Sequence, residues 1–210
     1  MRLAIIIPAY NEEGTISGVI KKAKKYGTII VVNDASKDGT ENVAKKSGAY
    51  VITHSKNKGL GGALRTGFQY AVGKNFDAVV TLDADGQHDP EDIPKFLNKL
   101  NESYEFVLGE RNLSKYPLVK KVGNFFLNNL TNLIAGTSLK DTESGFRAFK
   151  TSALKRLKLK AMRYEIAAEI ISEIGKNKLK SCNVKVASPR YRKGVGFFDG
   201  VKNFIYLLKK

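Results

Sequence analysis

The chain has 210 residues, of which 42% are hydrophobic and 27% are charged, and its formal net charge is +16. This composition excludes a disordered or fibrous chain and suits one domain that is long enough to bury its own core. The single cysteine, Cys182, excludes a disulfide framework and favours a reducing compartment, and the N-terminal apolar run is too short for a signal peptide.

Short β-branched runs alternate with helical patterns along the first half of the chain. The runs cover 3–7, 29–32, 50–52 and 78–80, and helical patterns follow the first three runs at 16–25, 41–47 and 59–72. Apolar runs of this length are typical of buried parallel strands, and their alternation with helices predicts an α/β fold with a doubly wound, mostly parallel sheet flanked by helices. A ligand of such a sheet binds beyond the carboxyl ends of the strands, where Glu12, Asp34 and Asp83 lie.

Oxygen-bearing side chains follow the fourth strand at steps of two residues. Asp83, Asp85 and Gln87 offer carboxylate and amide oxygens, which suit Mg²⁺ or Mn²⁺ shared with a substrate's phosphates and do not suit zinc or copper. The chain curls where the strand ends, so these side chains can converge on one ion instead of alternating between two faces. The alternative is a structural cluster of caps and turns that leads into a helix at Pro90.

Positive charge is concentrated in the second half of the chain. Residues 1–105 carry 14 Lys+Arg and 13 Asp+Glu, whereas residues 106–210 carry 22 and 7. This asymmetry indicates an anionic partner. We do not expect nucleic acid, because no nucleic-acid module is present and the basic residues are not interleaved with aromatic ones. An anionic membrane surface or a phosphate-bearing substrate fits better, and a lysine-rich surface that only maintains solubility is the alternative.

Apolar residues at steps of three and four predict two amphipathic helices in the basic half. The first contains Val119, Val122, Phe125, Phe126, Leu127, Leu130 and Leu133, close to Lys115, Lys120 and Lys121. The second contains Phe198, Val201, Phe204, Ile205 and Leu208 and precedes Lys209 and Lys210. Each helix could lie in lipid headgroups or pack on the core; we expect the C-terminal helix and part of the Phe125 helix at the lipid surface. No transmembrane span is expected, because asparagines and Gly136 interrupt the uncharged stretch 122–139.

Five motifs occur in order and cover nearly the whole chain. They are Pro8-Ala9-Tyr10-Asn11-Glu12, Asn33-Asp34-Ala35-Ser36 with Asp38-Gly39-Thr40, Asn57-Lys58-Gly59-Leu60-Gly61, Asp83-Ala84-Asp85-Gly86-Gln87 and Ser144-Gly145-Phe146-Arg147. With these motifs the chain resembles glycosyltransferase family 2, and within it the dolichyl-phosphate mannose synthase-like enzymes. The resemblance implies a GT-A fold and an inverting transfer of a sugar from a nucleotide diphosphate donor.

The resemblance also implies roles for individual residues on the donor side. Pro8, Tyr10 and Glu12 would line the base and ribose pocket, Asp34 would accept a hydrogen bond from the base, and Lys58 would approach the diphosphate. Asp83, Asp85 and Gln87 would hold Mg²⁺ or Mn²⁺ against the diphosphate, with Asp85 as the main ligand. Gly59, Gly61 and Gly62 open a helix whose N–H groups suit an anion, or they permit close packing. His54 and His88 lack zinc-ligand spacing, and we expect His88 to be a hydrogen-bonding neighbour of the metal loop.

On the acceptor side, Arg111 and Arg147 match arginines that the family uses to hold a lipid monophosphate, and we add Arg192 to this set. An arginine fork binds phosphate bidentately, which lysine cannot do. The alternative is that Arg111 and Arg147 pair with Asp141 or Glu143. A phosphate acceptor is already ionised and needs no general base, whereas a sugar hydroxyl would need one, and Asp141 and Glu143 would be the candidates.

We therefore expect one glycosyltransferase domain over 1–210, with a donor-binding half, 1–105, and a basic half for acceptor and membrane, 106–210. The expected enzyme is peripheral on the cytoplasmic face of a membrane and moves a sugar from GDP-mannose, a UDP-hexose or a UDP-N-acetylhexosamine to dolichyl or another polyprenyl phosphate. The chain lacks Trp, so it lacks the Gln-x-x-Arg-Trp motif of processive synthases. One alternative is a transferase that acts on a sugar hydroxyl or a protein. A non-catalytic sugar-nucleotide-binding module is the alternative from another class.

Overall fold

The computed structural model describes residues 1–112, 114 and 116–187, with the side chains of residues 118–120 excepted. Seven strands form one sheet in this part of the chain. They are β1 (Leu3–Ala9), β2 (Thr28–Asn33), β3 (Tyr50–Thr53), β4 (Ala78–Thr81), β5 (Phe106–Arg111), β6 (Arg147–Lys150) and β7 (Ser181–Val186).

The strand order is β3-β2-β1-β4-β6-β5-β7. Neighbouring strands are parallel except around β6, which runs antiparallel to both β4 and β5. The antiparallel register places Thr81, at the end of β4, opposite Arg147, at the start of β6. Because β6 is reversed, its first residue lies at the same edge of the sheet as the carboxyl ends of the parallel strands.

Seven α-helices cover the two faces of the sheet in the described residues. They are α1 (Ile16–Ala23), α2 (Thr40–Lys46), α3 (Gly59–Gly73), α4 (Ile93–Asn101), α5 (Leu118–Ala135), α6 (Thr151–Leu154) and α7 (Ile166–Lys176). One core lies under α1, α2 and α4, and a second lies under α3, α5, α6 and α7. The central strands alternate their side chains between these cores, which explains why β1 and β2 are apolar almost throughout.

The sheet confirms the predicted α/β fold with a doubly wound, mostly parallel sheet. The segment around Cys182, in which polar and apolar side chains alternate from Cys182 to Val186, forms β7. The antiparallel strand β6 was not predicted, because its four residues carry no periodic signal of their own. The C-terminal amphipathic helix expected at 198–208 lies outside the described residues. Within the described part of the chain, no helix is both long enough and apolar enough to cross a membrane.

Candidate active site

A cavity of about 660 Å³ opens at the carboxyl edge of the sheet. The ends of β1, β2, β4 and β5 and the start of β6 all contribute to its lining, so residues far apart in sequence meet there. Nine of the predicted site residues line it: Pro8, Tyr10, Glu12, Asp34, Asp83, Asp85, Gln87, Arg111 and Arg147. Lys58 is half-buried beside the cavity and is not among its lining residues. Arg192 lies outside the described residues.

Asp34 is buried at the end of β2 and holds the start of α3. Its carboxylate accepts hydrogen bonds from the backbone N–H groups of Lys58 at 2.8 Å and Gly59 at 2.7 Å. It also contacts Nδ1 of His54 at 2.7 Å, and the other ring nitrogen of His54 contacts the hydroxyl of Thr66 at 2.9 Å. The anion at the N-terminus of α3 is therefore Asp34 itself. The sequence carries no signal for this role of His54, because its partner Asp34 lies 20 positions away.

The glycines at the start of α3 permit a close approach of the segment 161–163. A Cβ atom on Gly61 would collide with the carbonyl oxygen of Ala161, and the N–H of Gly62 donates to the carbonyl of Met162 at 3.0 Å. Gly59 has a φ of +80°, a left-handed conformation that glycine adopts without strain. The structure supports the packing role for these glycines, because Asp34 and Met162 already occupy N–H groups of this helix end.

Asp83 is held by two neighbours that leave little room for movement. Its carboxylate contacts Nε2 of the buried His88 at 3.1 Å, as expected for a hydrogen-bonding neighbour. A Cβ atom on Gly145 would collide with both carboxylate oxygens of Asp83, so this position requires glycine. Burial raises the pKa of Asp83, but the hydrogen bond from His88 and the positive charges of Arg111 and Arg147 outweigh it and lower the pKa below its ordinary value. Asp83 is therefore a fixed, ionised carboxylate.

The loop after β4 has a donor set that fits a hard divalent cation. Asp85 accepts hydrogen bonds from the backbone N–H of Gln87 at 2.9 Å and from its side-chain amide at 2.5 Å, which orders the loop. Burial raises the pKa of the nearby Glu12, and the negative charges of Asp85 and Asp83 add to this effect. A cation would offset this excess of negative charge. Among the described residues, no three His, Cys, Asp or Glu side chains are grouped to hold a metal alone. Two carboxylates with an amide oxygen suit Mg²⁺, which typically binds one or two carboxylates together with substrate phosphates.

Arg111 forms a two-pronged ion pair with Asp141. Its Nε and Nη2 atoms each lie 2.7 Å from a different carboxylate oxygen, and its backbone N–H donates to the same group at 3.0 Å. Burial lowers the pKa of Arg111, but the contact with Asp141 outweighs it and raises the pKa above its ordinary value. The structure thus shows that Arg111 pairs with Asp141, which was one of the two carboxylate partners that the sequence allowed. Asp141 is poorly suited to be a base, because both of its oxygens are engaged.

Arg147 is a buried cation with little compensation from the protein. The residue is 2% exposed, and its Nη2 reaches the carbonyl of Thr142 at a long 3.4 Å. Its Nε atom has no hydrogen-bond partner among the described residues. Burial lowers the pKa of Arg147, and the negative charges of Glu143 and Asp83 act against that shift. Since an arginine stays charged in proteins, this guanidinium lines the cavity as a cation that an anionic ligand would stabilise.

Three cavity residues carried no signal in the sequence: Tyr116, Arg163 and Tyr164. Arg163 and Tyr164 are exposed and lie just before α7. They belong to no recognised motif, and only the packing of the segment 161–163 on α3 brings them to the cavity.

Comparisons with known proteins show which proteins this chain is similar to. The family model described as glycosyl transferase family 2 matches residues 4–159. An uncharacterised protein of Methanocaldococcus jannaschii is 39% identical over 97% of this chain and 90% of its own length. The UDP-N-acetylglucosamine–dolichyl-phosphate N-acetylglucosaminyltransferase of Methanococcus voltae is 38% identical over 97% of this chain and 94% of its own. Glucosyl-3-phosphoglycerate synthase of Mycobacterium tuberculosis, crystallised with UDP, has a TM-score of 0.78 at 23% identity, covering 99% of this chain and 79% of its own.

Proposed function

Because the chain belongs to glycosyl transferase family 2 and has the expected GT-A fold, we propose that it moves one sugar from a nucleotide diphosphate donor to a polyprenyl phosphate such as dolichyl phosphate. The donor is GDP-mannose, a UDP-hexose or a UDP-N-acetylhexosamine. The transfer inverts the anomeric centre and depends on Mg²⁺ or Mn²⁺. The protein acts as a peripheral enzyme at the cytoplasmic face of a membrane.

The buried guanidinium of Arg147, whose Nε has no hydrogen-bond partner among the described residues, is the observation that carries the proposed acceptor. A buried charge with an unsatisfied N–H group is costly, so a protein that retains one is expected to bind an oppositely charged ligand there. A phosphate monoester offers the oxygens that an arginine fork binds best. The name of the M. voltae relative, which includes dolichyl phosphate, supports the same class of acceptor.

The proposed reaction needs no general base. An oxygen of the ionised acceptor phosphate attacks the anomeric carbon, the bond from that carbon to the diphosphate oxygen breaks, and the nucleoside diphosphate leaves with the electron pair. Arg147 holds the acceptor phosphate against the repulsion of the donor's diphosphate. Asp83 and Asp85 line the same cavity as Glu12 and Arg147, and they would hold the divalent cation with Gln87. When bound, that cation neutralises the charge that develops on the departing diphosphate.

We assign different roles to Arg111 and Arg147 because their contacts differ. The Nε and Nη2 atoms of Arg111 bind Asp141, so we assign Arg111 to the support of the cavity wall next to the acceptor. Its remaining N–H groups can still contact the phosphate directly. Arg147 has its Nε free of described partners and is the primary phosphate ligand in this proposal. Arg192, outside the described residues, stays a predicted third contributor.

The test of this function is transfer from a radiolabelled nucleotide sugar in the presence of Mg²⁺. We expect labelled lipid with a polyprenyl phosphate acceptor and none with the matched polyprenol, because the alcohol lacks both the ionised nucleophile and the charge that Arg147 binds. Extraction into organic solvent followed by chromatography measures the product. Equal labelling of polyprenol, or turnover only with sugar acceptors, would contradict the proposed acceptor.

The exposed face of α5 supports the proposed membrane contact. This helix turns polar side chains inward: Asn128 accepts a hydrogen bond from the N–H of Thr142 at 3.0 Å, and Asn132 donates to the carbonyl of Leu139 at 2.6 Å. Its large apolar side chains face outward, with Phe125 66%, Phe126 68% and Leu133 79% exposed. An apolar outer face on a basic half of the chain is typical of a helix that lies in lipid headgroups.

We expect the protein to sediment with vesicles of phosphatidylglycerol and to be released as salt rises, since the Debye length falls from about 10 Å at 0.1 M to about 3 Å at 1 M. The double variant Phe125→Ser/Phe126→Ser should weaken sedimentation at low salt. Tyr50→Ser is the matched control, because it removes another half-exposed aromatic side chain at the far edge of the sheet. Equal binding to neutral and anionic vesicles would argue against the electrostatic part of this proposal.

A further inference from the structure

The carboxylate of Asp34 has few acceptor positions left for a ligand. A carboxylate offers about four lone-pair positions, two on each oxygen. Oδ1 is contacted by Nδ1 of His54 at 2.7 Å and by the N–H of Lys58 at 2.8 Å, and Oδ2 accepts the N–H of Gly59 at 2.7 Å. Among the described residues, the protein therefore fills three of these positions, and the fourth belongs to Oδ2.

The neighbouring polar group that faces Asp34 is a donor. The side-chain nitrogen of Asn57 donates to the backbone carbonyl of Asp34 at 3.3 Å, and both residues line the cavity. A ligand at this point thus meets one acceptor position on Oδ2, on a residue whose backbone carbonyl is already engaged by an amide nitrogen. This arrangement matches a base edge with a single N–H group flanked by carbonyl oxygens.

Uracil and guanine differ in the number of adjacent N–H donors that their base edges present. Uracil presents one ring N–H between two carbonyl oxygens, whereas guanine presents a ring N–H and an adjacent exocyclic amino group, which together need two acceptor positions on a carboxylate. We propose that the site selects a uracil base, so that the donor is a UDP-sugar and not a GDP-sugar, and that His54 is the positioning residue that enforces this choice. The inference rests on the proposed function, with the base of the donor at Asp34.

His54 can enforce the choice because it cannot move away from Asp34. It is 6% exposed, and its far ring nitrogen is 2.9 Å from the hydroxyl of Thr66. To pair both of its N–H donors with Asp34, guanine would have to displace His54 or the backbone N–H of Lys58 from Oδ1. Otherwise one N–H group of the guanine would be left without a partner. A buried site that leaves one donor unpaired discriminates strongly against the ligand that carries it.

Isothermal titration of the whole protein with UDP and with GDP, both with Mg²⁺ and without acceptor, tests the inference. We expect UDP to bind roughly 10- to 100-fold more tightly, which is the usual effect of one unpaired hydrogen bond to a charged group. GDP binding as tightly as UDP would overturn the inference and leave the proposed transfer intact. Binding of neither nucleotide would overturn the proposed function itself, and the inference with it.

Variants of His54 separate a positioning role from a structural one. His54→Leu removes the contact to Oδ1 and should reduce the UDP-to-GDP preference about 10-fold, mainly by improving GDP binding. His54→Gln keeps an amide donor and should retain most of the preference. Thr66→Val removes the second contact of His54 and leaves the contact to Oδ1, so it should reduce the preference less than His54→Leu does. A loss of affinity for both nucleotides in equal proportion in His54→Leu would assign His54 a structural role only and overturn this part of the inference.

Discussion

Asp85→Ala is expected to reduce transfer by roughly 1000-fold or more while the protein stays folded. The side chain makes hydrogen bonds within its own loop to Gln87 and is not part of either hydrophobic core, so its removal should cost little stability. Its negative charge matters most when the diphosphate departs, because the cation it holds then balances the developing charge. The measurement is initial rate with saturating donor and acceptor, with circular dichroism to check the fold.

Asp89→Asn is the matched control for this variant, because it removes a carboxylate charge from the same loop and keeps an oxygen that can cap the turn at Glu91. It should keep most of the activity. A second readout does not depend on turnover: Mn²⁺ with UDP should raise the melting temperature of the wild type and have little effect on Asp85→Ala, since only a bound ligand stabilises the native state. Substantial transfer in EDTA would show that the metal assignment is wrong.

Arg147→Ala is expected to suppress transfer to polyprenyl phosphate far more than it weakens donor binding. Truncating one partner of a buried charge pair typically costs about 2 to 5 kcal/mol, which corresponds to roughly 30- to 5000-fold in rate. Arg147→Lys should recover part of this loss, because lysine keeps the charge without the planar fork. The rate with saturating donor and the dissociation constant for the nucleotide sugar are measured in parallel.

Glu143→Gln distinguishes the competing mechanism. Glu143 lines the cavity near Arg147 and is the better base candidate, because Asp141 is engaged by Arg111. An enzyme that acts on a phosphate should tolerate Glu143→Gln well, whereas an enzyme that acts on a hydroxyl should be inactivated by it. Near wild-type transfer in Arg147→Ala together with an inactive Glu143→Gln would indicate a hydroxyl acceptor. Asp141→Asn is less informative, because it would also release Arg111 and disturb the cavity wall.

The parallel part of the sheet and the donor side of the cavity follow from the sequence alone. Apolar runs such as 3–7 and 29–32 can only be buried on both faces, and their alternation with helices leaves a doubly wound sheet as the available arrangement. Asp34, Asp83 and Asp85 were identified because they directly follow those runs, and the carboxyl ends of parallel strands meet at one edge. These signals come from residues that are neighbours in the sequence, so they can be interpreted without knowing the tertiary structure.

The contacts that decide chemistry came only from the tertiary structure. Arg111 meets Asp141 across 30 positions, a pairing that the sequence allowed only as one alternative. Asp34 meets His54 across 20 positions, and no local pattern predicts that contact. The burial of Arg147 depends on the reversed strand β6, and the outward-facing apolar side of α5 depends on where Asn128 and Asn132 find partners. A sequence specifies which groups are charged or apolar, but only the packed chain determines which of them are left without a partner, and those groups indicate the ligand.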